Sequence, residues 1–139
     1  MTGRVVVHSL DDARAAVTAA EALDCPVTLV SAPRAGGFAG PRWFLAVVAE
    51  ATAAYPGARI DAVLDCGDEA GTTLAALRAG CRRVRFTGGA ELRTKLAEIA
   101  AALGAAIEDD EADPVLDLLG QRDAEAACRA FLAPGGTLP

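Results

Sequence analysis

Short apolar runs alternate along this chain with stretches in which apolar residues return every three or four positions. The first pattern reads as buried strand and the second as amphipathic helix, so the predicted order is βαβαβαβαβ followed by helices, a parallel sheet with crossover helices. Arg4 to His8 makes the first strand, and Ser9 with Asp12 gives a capping-box signature that opens a helix to about Leu23. Pro26 leads into a second strand, Val27 to Ser31, followed by the glycine-rich loop Ala32 to Gly40. Pro41 suits a first helical position, and Phe44, Val47, Val48 and Ala51 form an apolar stripe that ends before Pro56. Ile60 to Leu64 is the third strand, ending at Asp65. The third helix runs from about Glu69 to Ala79, where Gly80 closes it. Arg83 to Phe86 is the fourth strand. Leu92, Leu96, Ile99 and Leu103 mark one face of a helix closed by Gly104, and Ala105 to Asp109 makes a short fifth strand. Asp113 and Pro114 read as a cap and first turn of a short helix to Leu119, and Asp123 caps a last helix to about Leu132. The tail PGGTLP is expected to fray. The expectation is one α/β domain over residues 1–139, with βα units over 4–112 and C-terminal helices over 113–133.

Composition supports a folded domain and narrows its partners. The 139 residues are 53% hydrophobic, enough for a core without staples. Nineteen acidic against thirteen basic residues give a net charge of −6, which disfavours nucleic acid and anionic membranes as partners. Four cysteines, Cys25, Cys66, Cys81 and Cys128, form no CxxC pair, and the start MTGRVVVHSLDD has no cationic apolar leader. A cytoplasmic protein with reduced thiols is expected. No apolar stretch reaches the length of a membrane span.

The run PVTLVSAPRAGGFAG, followed by a helix and then AVLDCGD, LRAGCRRVRFTGG and LAEIAAALGAAIE, resembles the first half of class II fructose-bisphosphate aldolases almost without gaps. The opening VVVHSLDDARAAVTAAEALDCPV is similar to that family's first strand and helix. The resemblance covers roughly Val5 to Glu108 and implies half of a TIM barrel. It also implies a degenerate active site. The family ends its third strand in an Asp that transfers protons, followed at once by a metal-binding His; here Asp65 keeps the first and Cys66 stands in place of the second. Ala32 replaces a family Ser, and His8 aligns with a family Asn. The other metal-binding histidines belong to a second half for which this chain has no counterpart, and the sequence contains a single His. A three-histidine site therefore cannot form within one chain, and no divalent metal or other cofactor is expected.

Strand alternation adds an independent reading. Asp61, Val63 and Asp65 share one face of the third strand, and Arg83, Arg85 and Thr87 share one face of the fourth. A doubly wound sheet buries both faces and its strands read as continuous apolar runs, which RRVRF is not. The resemblance makes the Asp65 face the barrel interior, so Arg83 and Arg85 would lie there and pair with Asp61 and Asp65. A half-barrel of four or five βα units exposes edge strands and its inner face, which favours association. Three solutions stand open: a homodimer whose halves face each other like the halves of a (βα)8 barrel, C-terminal helices folded back over the face, or a five-stranded flavodoxin-like doubly wound sheet. The half-barrel dimer is preferred.

Two functional expectations follow. One is a non-catalytic, self-assembling structural or interaction module. The other is a site for a small sugar-phosphate-like anion, or a lyase-type enzyme, at the carboxyl ends of the strands. In the second, Asp65 is the acid–base candidate, with Cys66 as nucleophile or ligand and His8 as general base. Arg85 and the pairs Gly36-Gly37 and Gly88-Gly89, which precede helices, are candidates for holding the anion. Internal ion pairing and tight turns account for the same arginine and glycines without a ligand.

Overall fold

The structure, a computed structural model, describes residues 2–108 and 114–139. Its elements in chain order are β1 (Gly3–Val7), α1 (Leu10–Ala22), β2 (Val27–Ser31), α2 (Ala35–Phe38), α3 (Pro41–Thr52), β3 (Ile60–Asp65), α4 (Ala70–Ala79), β4 (Arg83–Arg85), α5 (Ala90–Ala102), β5 (Ala106–Glu108), β6 (Val115–Asp117) and α6 (Ala124–Leu132). The strands form a parallel sheet in the order β5-β4-β3-β2-β1-β6. From β1 to β5 each strand neighbours its successor, as consecutive strands of a βα-barrel do. A flavodoxin-like sheet runs 2-1-3-4-5, an order this sheet does not have, although β6 lies on the far side of β1 from β2; the all-parallel sheet is consistent with a half-barrel or a doubly wound fold.

The chain groups into two compact units, one of Met1–Val30, Ala46–Asp61 and Asp113–Pro139, the other of Ser31–Leu45 and Ala62–Ala112. In the first, Ser9 caps α1 by accepting the Asp12 N–H at 3.1 Å, while the Asp12 carboxylate reaches back to the His8 N–H at 2.9 Å. α1 buries Ala13, Ala16, Val17, Ala19 and Ala20 and packs against α6, which is capped by Asp123 through the Ala126 N–H.

Residues 114–119 are not the helix that Asp113-Pro114 suggested. Val115–Asp117 is a strand, paired in parallel with β1 at Arg4↔Val115, Val5↔Leu116 and Val6↔Asp117. The reason lies in a two-residue alternation: Leu116 and Leu118 are buried, whereas Asp117 and Leu119 face solvent. Pro114 precedes the strand, where its missing N–H costs no ladder bond. The sheet thus has six strands where five were expected, and the capping role read for Asp113, like the strand end at Asp109, lies outside the described residues. The tail also departs from expectation. Instead of fraying, it turns back on α6, with the Gly136 N–H donated to Ala133 O at 2.7 Å and the Thr137 N–H to Ala130 O at 3.3 Å.

In the second unit α4 packs on β4, and α5 on α4 and β5. Val63, Leu64, Val84 and Phe86 are buried to within 1%. Gly80 closes α4 at φ +106°, a conformation that only glycine adopts cheaply. The loop Ala32 to Gly40 holds a single helical turn, α2, entered through Arg34 at φ +61°.

Candidate functional site

Asp65, the last residue of β3, gathers the loops around it. Its own N–H is donated to Ser31 Oγ at 2.9 Å, and that hydroxyl donates onward to Ala32 O at 3.0 Å. Carboxylate Oδ1 accepts the N–H of Gly67 at 2.9 Å and the N–H of Arg34 at 3.1 Å. A left-handed backbone at a non-glycine residue is costly, and the bond from Asp65 helps to hold Arg34 there. The Arg34 side chain turns to Asp68 at 3.2 Å.

The other carboxylate oxygen, Oδ2, lies 3.5 Å from Arg85 Nη1. The sheet register explains the pairing. Asp65 sits opposite Arg85 across β3 and β4, and Arg85 opposite Glu108 across β4 and β5. Arg85 Nη2 is 3.4 Å from Glu108 Oε1, and Arg83 Nη2 is 3.0 Å from Glu108 Oε2. Two cations and two anions alternate over three strands, the arrangement that half-buried charge requires. The expected Asp65–Arg85 pair is therefore present, and Glu108 joins it.

Cys66 is 1% exposed, and burial pushes its thiol up to about 12 against the opposing hydrogen bond from Thr73. With no metal beside it such a thiol keeps its proton at neutral pH, the less nucleophilic form. Gly36 packs directly on it: a Cβ at Gly36 would come within 2.6 Å of Cys66 Sγ and 3.3 Å of Asp65 O. Gly37 donates its N–H to Arg34 O at 3.0 Å within α2. A Cβ at Gly88 would come within 2.3 Å of the buried Phe86 ring, and the Gly88 carbonyl accepts from Arg93 Nη2 at 3.1 Å. Gly89 is the N-cap of α5. Gly36 and Gly88 thus lie where a Cβ would clash with its neighbours, a use of glycine distinct from the tight turns and phosphate binding that the sequence left level.

The chain superimposes on the crystal structure of a "putative fructose-1,6-biphosphate aldolase" from Coccidioides immitis with a TM-score of 0.66 and 21% identity, over 78% of this chain and 45% of that one. That likeness shows the fold. The chain spans less than half the length of the matched structure. No family model matches it, and neither does any curated protein.

Within this aldolase-like α/β fold, Asp65, Cys66, Arg85, Gly36, Gly37, Gly88 and Gly89 belong to the second unit, and His8 belongs to the first. His8 follows β1, and its Nε2 lies 2.7 Å from Oδ1 of Asp117 at the end of the neighbouring strand β6. The same oxygen accepts the Leu119 N–H at 2.9 Å. Neither Asp117 nor Glu108 stands out in the sequence: the Asp-Pro signature places Asp117 in a helix, and Glu108 belongs to a strand too short to show its faces. Among the described residues no group of three or more His, Cys, Asp or Glu side chains is placed to hold a metal ion. Among them, too, no helix is long and apolar enough to cross a membrane.

Burial alone would raise the Asp117 carboxyl, but the Leu119 N–H and the hydrogen bond and charge of His8 outweigh it and hold the group below its ordinary value. A carboxyl depressed in the folded state adds stability that is complete above its unfolded pKa, near 4, and is lost as pH falls through the folded value. Wild type and Asp117→Asn should therefore have urea midpoints that are separate at pH 6 and converge toward pH 3. A gap that stays constant over that range would refute the assignment.

Proposed function

We propose that this chain is a non-catalytic, aldolase-like half-barrel that assembles with a second copy of itself as a structural or interaction module. The observation that carries the non-catalytic reading is the state of Asp65. Both of its oxygens are engaged in bonds that hold loops and strands together. A general base needs a lone pair aimed at substrate, whereas here Oδ1 accepts two backbone N–H groups and Oδ2 faces the Arg85 guanidinium. The neighbouring thiol is protonated and covered.

Self-association is supported on α5. Leu92, Ile99 and Leu103, spaced by seven and four residues, line one exposed face and are 46%, 37% and 54% accessible. β5, beside it, is an edge strand, and such edges invite pairing. Lys95 and Glu98 are exposed on the flank of this stripe. Two α5 helices packed antiparallel about a two-fold axis set each Lys95 against the partner's Glu98, so the face is self-complementary. Light scattering at micromolar concentration should give twice the chain mass for wild type and the single-chain mass for Leu103→Glu, with unchanged far-UV circular dichroism. A monomeric wild type, or a Leu103→Glu variant that still dimerises, would remove this reading.

A second reading rests on the placement of Asp65 at the carboxyl end of a parallel strand beside Arg85, where a small sugar-phosphate-like anion could bind and a lyase could act. It requires the 3.5 Å Asp65–Arg85 contact to open for substrate. A saturable thermal shift with fructose 1,6-bisphosphate that Asp65→Asn abolishes would favour it. The non-catalytic module predicts no such shift.

A further inference from the structure

The first unit contains a cavity of about 640 Å³ at the amino-terminal ends of β1, β2 and β6, the opposite end of these strands from His8 and Asp117. That volume lies within the range of small-molecule sites. Thr2 and Gly3 open β1, Pro26 precedes β2 and Pro114 precedes β6, while Phe131 and Leu132 come from the end of α6. Among the described residues that line it, none carries a charged side chain.

Two glycines build it. A Cβ at Gly3 would come within 2.5 Å of Leu132 Cδ2 and 3.3 Å of Phe131 Cε2, so the bare backbone makes room for both side chains. A Cβ at Gly136 would come within 2.2 Å of Phe131 O, so glycine lets the tail fold back over α6. The bonds from Gly136 and Thr137 fix that tail as a wall and bring Leu138 to the cavity. The polar side chains are the hydroxyls of Thr2 and Thr137 and the thiol of Cys25, which burial holds protonated above its ordinary value against the opposing charge of Arg59.

We propose that this cavity binds a small, uncharged, largely apolar molecule carrying at most a few hydrogen-bonding groups. A carboxylate or phosphate would be stripped of water there with no cationic side chain among the described lining residues to receive it. The net charge of −6 also repels anions. An uncharged ring system instead gains the burial of its apolar surface against Phe131, Leu132 and Leu138, and the hydroxyls orient it.

Cys25 provides a reporter, because the other three cysteines are buried. Titration with the uncharged fluorophore N-phenyl-1-naphthylamine should give a saturable, blue-shifted emission with one site per chain. Saturating dye should slow alkylation of Cys25 by N-ethylmaleimide by roughly tenfold or more, the protection expected when about nine sites in ten are filled. Leu138→Asp, which puts a charge into the wall, and Thr137→Trp, which fills the space, should each weaken the dye by about tenfold or more, a change of 1.4 kcal/mol. Leu103→Glu on α5 should leave the dye affinity unchanged. No saturable emission, an unprotected Cys25, or a signal lost in Leu103→Glu and retained in Leu138→Asp would each overturn the proposal.

Discussion

Replacing Asp65 with Ala should cost about 3–5 kcal/mol of folding stability, the range for removing one partner of a buried, hydrogen-bonded charge pair. Arg85, at 14% side-chain exposure, would lose a carboxylate partner, and the N–H groups of Arg34 and Gly67 would lose their acceptor. Arg34 would then hold its left-handed backbone without the bond from Asp65. For a chain of this size the thermal midpoint should fall by roughly 10 °C or more. Asp65→Asn should cost less, roughly 1.5–3 kcal/mol, because the amide oxygen still accepts from both N–H groups while the charge facing Arg85 is gone. Urea unfolding followed by circular dichroism measures both. The result also separates the two functional readings. A carboxylate kept for catalysis sits at some expense to stability, and its removal is commonly neutral or stabilising. A loss below about 1 kcal/mol in Asp65→Ala would mean that the residue is not a structural clamp.

The helices and central strands were legible because their signals are local. Ser9 with Asp12, Asp123, Gly80 and Gly104 mark helix ends by capping chemistry, and all four lie at the ends of described helices. Ile60 to Leu64 reads as a strand because a β-rich apolar run is bounded by turn residues. β6 lacked such a signal. Three residues cannot establish a period, and the Asp-Pro pair before them carries a strong helix-start signature, so the local reading lost to pairing with a strand more than a hundred residues earlier. The same error concealed Asp117, and with it the partner of His8. Period-two alternation together with the aldolase resemblance put Asp65 and Arg85 on one face of the sheet, where the register pairs them. It could not place Glu108 opposite them, since register between strands depends on tertiary packing. The glycines were the least legible, because nothing in the letter G distinguishes a phosphate cradle from a close approach to a neighbouring side chain.

Gly36 allows that distinction to be tested. Gly36→Ala should destabilise the chain by about 2–3 kcal/mol, the upper part of the range for overpacking a filled interior. The new Cβ would come within 2.6 Å of Cys66 Sγ, 3.2 Å of Thr72 Cγ2 and 3.3 Å of the Asp65 carbonyl oxygen. Thr72 can turn aside. Cys66 has nowhere to go at 1% exposure, and the Asp65 carbonyl is backbone beside the network that fixes Arg34. Cys66→Ala alone should cost about 1 kcal/mol through the small cavity it leaves. In the double variant the added methyl occupies the space the sulfur vacated, so the combined loss should fall short of the sum by about 1–2 kcal/mol, as expected for residues in contact. A glycine retained to cradle phosphate behaves otherwise: Gly36→Ala would weaken an anion and leave stability nearly unchanged, whatever stands at position 66. Additive losses in the urea midpoints of the four proteins would reject the packing account of Gly36, and a positive coupling would identify Cys66 as the side chain that requires it.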